Sequence, residues 1–360
     1  MIRYLVQRVV LGAVVLLGLL VMAFAMVQIL PGDPARAAAG RNATQEQIEA
    51  ARQSLGLDQP LIAQFFSFMG RVFQGDLGTS VFTHRPVLED IAQVLPSSLE
   101  LVLAAMIINI AVAVPLGVLA AYRRGRAADV AARMLALLGA AVPVFWLALM
   151  LQMLFAVVLG WLPLYGQLGF GIYLTDITGV TTIDAMLSGD PYAFGSAVFH
   201  LILPAVTLSA SFIAVIARTV RSSMITALDA DFVTLARATG ASEWRVVVRH
   251  ALRNALIPMT TILGMQIGWM LGATVLVEST FNRKGIGSYM VNAVLQNDLY
   301  AVIGSIVVIG IVFVITNLVV DVVQLTLNPR LRDGTVRPKT SASGQLVARG
   351  LESSGKGAGA

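Results

Sequence analysis

Long apolar runs without a charged residue are the feature that most constrains this chain. A run of about 20 such residues crosses the ~30 Å hydrocarbon layer of a bilayer as a helix, because a helix satisfies its own backbone polar groups without water. We predict an all-α membrane protein with six spans, near residues 9–30, 100–123, 134–160, 197–217, 253–278 and 298–321. The chain is 57% hydrophobic and 12% charged, and this balance excludes a soluble, disordered or nucleic-acid-binding protein.

The distribution of Lys and Arg predicts the orientation of the spans. Basic residues cluster at the N-terminus, at 123–133, at 218–253 and after Arg330, whereas the connection 161–196 has none. Cytoplasmic connections carry the excess of Lys and Arg in membrane proteins. Both termini are therefore predicted to be cytoplasmic, and the net charge of +5 reflects topology rather than an acidic partner.

The first span has two interpretations. An apolar run that follows basic residues and contains the small-x-small sequence Ala23-Phe24-Ala25 is typical of a cleaved secretory signal. The apolar run continues to Leu30, and this favours a retained anchor within residues 1–30.

Residues 31–96 form the largest predicted external segment. Its first residues, 31–34, contain two prolines that end the first span. A short helix is expected to end at Ser54, with Thr44 and Gln47 in a capping box. The aromatic stretch 61–73 predicts a helix that lies at the membrane interface or packs as a small cap over the spans.

Two further segments show no helical period. The external loop 161–196 is rich in glycine and aromatic residues, and the tail 333–360 is rich in Ser and Gly. The tail has too few apolar residues to bury, so we expect it to be disordered. The other five spans then form a core at residues 97–332.

The connection between the fourth and fifth spans, about 229–252, predicts two short helices joined at Gly240. Glycine permits the turn, while Asp229 or Asp231 is expected to cap the first helix and Ser242 the second. Small residues at the turn would let the groove of another protein approach closely, and the neighbouring charges would set the register. A connector that contacts only lipid headgroups is the alternative.

Several motifs resemble a known family. The sequence Thr234-Leu-Ala-Arg-Ala-Thr-Gly240, followed by the stretch from Arg249 to Pro258, resembles the "EAA…G" cytoplasmic loop of permease subunits of binding-protein-dependent ABC importers. It looks like the B-type subunit of the dipeptide/oligopeptide branch, which includes nickel and glutathione permeases. The resemblance extends to Arg332 and includes residues 30–34, 55–61, 74–80, 95–100, 275–287 and 328–332.

The sequence departs from the family pattern at four places. Thr234 stands where the general motif has Glu, and Arg253 where many permeases have Pro. The pair Arg283-Lys284 stands where the branch often has Trp-Pro, and Asn328 where Asp is usual. These four departures affect the assignment of the substrate more than the assignment of the family.

The resemblance implies a type I ABC importer permease fold in the bacterial inner membrane. It implies as partners a second permease subunit, cytoplasmic ATP-binding subunits, an external solute-binding protein and the lipid bilayer, with peptides, nickel or glutathione as substrate. It also implies that the ATPase contact is made by Asp231, Ala236, Arg237, Gly240, Ala241, Glu243, Trp244 and Arg245. The chain shows no Gly-x4-Gly-Lys-Ser/Thr loop, so we expect ATP and Mg to be bound by partner subunits and this chain not to be an enzyme.

The fifth span contains the candidate residues of the translocation path. Gly264, Gly268 and Gly272 recur every four residues, so they share one face that packs closely, either within the chain or against the second permease. The neighbouring faces carry the candidate path residues Met265, Gln266 and Trp269, and Glu278 at the end of the span is a fourth.

Other functions are weighed against this interpretation. An ion-coupled secondary transporter should carry ionisable residues near the middle of its spans, and a membrane enzyme should carry a convergent acid–base or metal set; the sequence shows neither pattern. There is no cysteine, and His84, His200 and His250 lack metal-ligand spacing. We therefore predict no metal site.

Overall fold

Most of the residues that the structure describes are helical. The computed structural model describes residues 2–29, 34–40, 43–54 and 56–327, and within them the only bridge between extended residues joins Thr79 to Pro86. The predicted all-α class is confirmed. The predicted turn at 31–34 lies almost entirely outside the described residues, and the predicted disordered tail lies wholly outside them.

Fourteen α-helices follow one another in the described residues. Their bounds are α1 Ile2–Ile29, α2 Pro34–Ala39, α3 Gln45–Ser54, α4 Leu61–Phe73, α5 Val87–Tyr122, α6 Ala127–Ala141, α7 Val144–Leu151, α8 Thr181–Leu187, α9 Pro191–Leu228, α10 Asp231–Ala238, α11 Glu243–Arg245, α12 Leu252–Thr280, α13 Ile286–Leu295 and α14 Leu299–Leu327. A π-helical segment, Gln152–Val158, extends α7, and another, Val246–Ala251, joins α11 to α12.

Five helices are long and apolar enough to cross a membrane, namely α1, α5, α9, α12 and α14. The third predicted span is different, because α6 and the helix from Val144 to Val158 meet at an angle of 104°. Pro143 causes the break: Val142 before it is extended, with φ −83° and ψ 130°, as a following proline favours. The predicted span at 134–160 is therefore present as a broken pair of helices, which gives the sixth span when the pair is counted as one.

Helices α5 and α9 are longer than the spans predicted for them. Helix α5 begins at Val87 and passes through Pro96, so Glu100 lies inside a helix rather than at its end. Helix α9 begins at Pro191, where the Asp190 carboxylate accepts a hydrogen bond of 2.9 Å from the backbone N–H of Tyr192. Together with α8, this start shows that the loop 161–196 contains helical structure that its glycine-rich sequence concealed.

The centre of the bundle is the contact between α5 and α9. At Gly117 the two backbones are so close that an added Cβ would lie 2.7 Å from the Ala217 carbonyl oxygen and 2.8 Å from the Val220 Cβ. Small residues permit this approach between membrane helices. Buried side chains of α6 and α12 extend the same core on either side.

The predicted glycine stripe on α12 packs within the chain at two of its three positions. An added Cβ at Gly264 would lie 2.7 Å from Val320 Cγ1 of α14, and at Gly268 it would overlap the ring of Phe313. Gly272 is exposed, and nothing lies within 4 Å of an added Cβ there. The close face therefore belongs to α14 at the first two glycines, and the described residues leave the third open.

The short helices α3 and α4 lie where the sequence predicts helices. The Thr44 N–H donates to Gln47 Oε1 at 2.9 Å and the Gln47 N–H donates to Thr44 Oγ1 at 3.3 Å, so the predicted capping box is confirmed. Helix α4 packs Phe65 edge-on against Phe24 of α1, with 5.4 Å between ring centroids. Its opposite face leaves Phe66 exposed, so α4 has both a packed face and a free apolar face.

We predict opposite effects for one substitution at two positions of α12. Gly268→Ala should lower the free energy of unfolding by about 1–3 kcal/mol, because the new methyl group overpacks against Phe313. Gly272→Ala should be neutral or stabilising, since replacing a glycine in a helix gains about 0.5–1 kcal/mol when nothing is in the way. Thermal unfolding of both variants in the same detergent measures the difference, and equal melting temperatures would contradict the packing described here.

Candidate functional site

The candidate site is the segment 229–252, in which α10 and α11 are joined by a tight turn as the sequence predicts. The Gly240 N–H donates to the Arg237 carbonyl at 3.0 Å and the Ala241 N–H donates to the Ala236 carbonyl at 3.1 Å. Gly240 has φ +82°, the left-handed conformation that favours glycine after a helix. This is a Schellman motif, and it fixes the direction in which the chain leaves α10.

The caps of these two helices differ from the prediction. Ala230 occupies the N-cap position of α10, with no side-chain hydrogen bond. Asp229 instead lies 3.7 Å from Arg124, and Asp231 lies in the first turn of α10. Ser242 is at the predicted N-cap position of α11, but its side chain makes no capping bond. The acidic side chains near α10 therefore act on its positive end as charges.

The outer surface of the turn combines apolar side chains with one ion pair. Leu235 and Trp244 are 66% and 77% exposed. The Arg237 guanidinium donates to both carboxylate oxygens of Glu243, at 2.9 and 3.3 Å, and so links α10 to α11. Apart from Gly240 and its two chain neighbours, no atom of the described residues lies within 4 Å of the position that a Cβ would take at Gly240. The tip is thus small, with apolar residues beside it.

The inner face of the segment is packed into the bundle. Val233 of α10 and Val246 of the following π-helical turn are fully buried. They belong to one core with Val220 and Met224 of α9. A force on the turn is therefore transmitted directly to the end of α9, because packed side chains resist compression.

Two of the four candidate path residues lie on an open face of α12. Met265 and Trp269 are 51% and 69% exposed, and with Gly272 and Leu276 they form one stripe along the helix. We call these four residues the α12 stripe. All four residues of the α12 stripe stay exposed among the described residues.

Gln266 is buried, unlike the residues of the α12 stripe. Its side-chain oxygen accepts from the Asn109 amide at 3.1 Å, and its side-chain nitrogen donates to the Phe212 carbonyl at 3.0 Å. One residue therefore ties α12 to α5 and α9. Because both ends of the amide are used inside the chain, Gln266 holds helices together instead of lining a path, which differs from the prediction.

Glu278 is another candidate path residue that is buried among the described residues. It is completely buried and accepts hydrogen bonds from the Ser98 hydroxyl at 2.6 Å and from the backbone N–H groups of Gly287 at 2.8 Å and Ser288 at 3.1 Å. These two amides form the start of α13, where a carboxylate is stabilised by the free N–H groups and the helix dipole. Glu278 therefore fixes α13 against α5 and α12.

A buried ion pair that the sequence prediction missed lies beside Glu278. Arg283 and Glu100 are both buried and in direct contact, and Glu100 also accepts from the Thr182 N–H at 2.8 Å. Burial lowers the pKa of the Arg283 guanidinium, and the carboxylates of Glu100 and Glu278 oppose this shift. The only sequence signal was the departure from the family pattern at Arg283, since Glu100 was read as the boundary of a span.

The loop 161–196 is held in place by a second buried carboxylate. Burial opposes the ionisation of Asp184, but hydrogen bonds from the Thr178 hydroxyl and from the N–H groups of Thr178, Ile177 and Gly179 outweigh it and lower its pKa. The Lys284 ammonium lies 3.0 Å from Asp176 of the same loop. This loop is therefore attached both to α8 and to the turn after α12.

The described residues contain no group of three metal-binding side chains. The Nδ1 atom of His200 lies 2.8 Å from the Ser196 carbonyl oxygen of its own helix. His84 lies in a turn at φ +56°. The absence of a metal site in the whole chain stays a prediction.

Comparison with known proteins gives family matches over nearly all of residues 1–333. Residues 113–333 match the family "Binding-protein-dependent transport system inner membrane component", and residues 1–102 match its N-terminal companion. The chain is 41% identical over 321 residues to the probable D,D-dipeptide transport system permease protein DdpB of Escherichia coli K12, covering 89% of this chain and 94% of the relative. It is 40% identical to the di/tripeptide permease DppB of Pseudomonas aeruginosa, covering 88% and 94%, and 38% identical to the glutathione permease GsiC of Salmonella typhi, covering 92% and 99%.

We predict that Arg283→Met destabilises the protein by about 3–5 kcal/mol, because it leaves the Glu100 charge buried without its partner. Adding Glu100→Gln should restore much of this loss, since glutamine is neutral and can still accept the Thr182 N–H. Thermal unfolding of the two single variants and the double variant measures the coupling. A double variant as unstable as the sum of the single variants would show that the pair is not coupled.

Proposed function

The chain belongs to the family of binding-protein-dependent transport system inner membrane components, and we propose that this permease carries peptides of the dipeptide and oligopeptide class. The relatives with high identity over most of the chain are named for di- and tripeptides and for glutathione, itself a tripeptide. Glutathione stays within the proposed class. The described residues contain no cluster of metal ligands that would favour nickel as the substrate.

The observation that carries the proposed mechanism is the shape of the segment 229–252. Its tip at Gly240 is small and open, while Val233 and Val246 on its inner face are buried against α9. A partner protein that binds the tip would therefore move α9 and α5 together as a rigid unit. We propose that cytoplasmic ATP-binding subunits are this partner, and that Arg237 and Glu243 hold the two short helices in register.

The partners expected from the family fit the exposed surfaces. The α12 stripe, Met265, Trp269, Gly272 and Leu276, is proposed to face the translocation path or its second permease subunit. Adaptable Met and a large aromatic side chain tolerate varied peptide side chains. The external solute-binding protein would deliver the peptide on the side of loop 161–196, and the basic connections would face the cytoplasm.

We predict that Gly240→Trp abolishes ATP-driven peptide uptake in proteoliposomes that contain the complete transporter. Apart from the two chain neighbours of Gly240, no atom of the described residues lies within 4 Å of the new Cβ, so we expect the tryptophan to clash with the proposed socket. The left-handed backbone adds local strain of about 1–3 kcal/mol.

Gly125→Trp is the matched control for that strain. Gly125 has φ +76° and equally open surroundings, in the connection between α5 and α6. The transporter with Gly125→Trp should keep full peptide uptake. The transporter with Gly240→Asn should keep most of its uptake, because Asn tolerates the left-handed region. Full uptake by Gly240→Trp, or equal loss in Gly125→Trp, would contradict the coupling role.

We further predict that the purified chain alone neither hydrolyses ATP nor accumulates peptide. The chain has no phosphate-binding loop, so both activities should appear only when the ATP-binding subunits are added. Uptake by the isolated chain in response to an imposed ion gradient would support a secondary transporter instead.

A further inference from the structure

A cleft with a basic rim lies between α5, α6 and α9, at the end of the bundle that carries the segment 229–252. Its volume is about 550 Å³, within the range of about 300–1,000 Å³ that small-molecule sites occupy. Leu116, Val130, Met134 and Leu137 supply apolar walls. The last three are about half exposed on α6, a helix of the bent pair, so the cleft opens toward the surroundings of the bundle.

Three arginine side chains line the cleft, those of Arg133, Arg218 and Arg221. Only one carboxylate balances them, Asp129, whose side chain is 1% exposed. Arg221 donates to both oxygens of Asp129 at 2.8 Å, and the Gly125 N–H donates to one of them at 3.0 Å. Asp129 is therefore already satisfied by the deep arginine and the backbone.

The two outer arginines leave the rim with excess positive charge. The Arg133 Nε lies 3.2 Å from the Asp129 carboxylate and donates to the Asp129 backbone carbonyl at 3.4 Å, but the Arg133 side chain is 56% exposed. Arg218 is exposed and has no ionic or hydrogen-bond partner among the described residues. With one carboxylate for three guanidinium groups, the rim favours an anion.

We propose that this cleft binds one anionic phospholipid of the membrane, with its phosphate between Arg133 and Arg218 and an acyl chain against the apolar wall. Basic pockets between membrane helices bind anionic lipid headgroups in this way. The apolar wall favours an amphiphile over a free anion, because burial of the CH₂ groups of an acyl chain adds to the binding free energy. The proposal does not depend on which peptide the permease carries.

Native mass spectrometry of the full-length chain, alone and in its complete complex, tests the proposal with phosphatidylglycerol and phosphatidylcholine as probes. We expect one tightly bound phosphatidylglycerol and no equivalent phosphatidylcholine. The double variant Arg133→Gln with Arg218→Gln should bind phosphatidylglycerol roughly 30-fold more weakly, since each arginine contributes about 1 kcal/mol and 1.4 kcal/mol is tenfold. Both side chains are exposed, so unchanged melting curves confirm folding.

The matched control is Arg123→Gln with Arg126→Gln, which removes the same charge from the neighbouring turn without touching the cleft. It should retain phosphatidylglycerol. Equal loss in this control would show a general surface charge effect and overturn the site. Displacement of the lipid by excess inorganic phosphate would assign the rim to a free anion, and absence of bound lipid from the complete complex would show that a protein partner covers the cleft; either result overturns the proposal.

Discussion

Close packing of α5 against α9 is the interaction on which the rest of the structure depends. The two helices approach at Gly117 without room for a Cβ, and each is longer than a bilayer requires. Water does not drive helices together inside a membrane, so the contact relies on close van der Waals packing. The bent pair, α12 and the segment 229–252 all pack onto this central pair.

Charges inside the bundle act as ties between helices. Asp129 with Arg221 joins α6 to α9, and Glu100 with Arg283 joins α5 to the turn after α12. An ionised side chain near lipid is costly unless it is paired. Each pair therefore specifies one arrangement of its two helices, and the arrangement would be lost if one partner moved away. The Asp129 pair lies beyond the C-terminal end of α5, near the proposed coupling segment, whereas Glu100 lies in the N-terminal half of α5, beside the loop 161–196.

The segment 229–252 joins a surface suited to a partner with a buried face suited to transmitting movement. Its tip depends on local sequence, because Gly240 and the carbonyl groups of α10 form the Schellman turn on their own. Its mechanical role depends on Val233 and Val246, which share a core with α9. A rigid element of this kind can switch between two packed positions without deforming.

The sequence by itself determined the elements that depend on local chemistry or on the bilayer. Spans follow from apolar length, the Thr44 capping box from its spacing, and the Gly240 turn from the freedom of glycine; all three are present in the structure. Only the tertiary structure decided which polar side chains are available. Gln266 and Glu278 looked like path residues from their positions on one helix, yet each bonds to residues far away in the sequence, Gln266 to Asn109 and Phe212 and Glu278 to Ser98. The physical reason is that a buried polar group must find its partner in space, and one helix cannot reveal what packs against it.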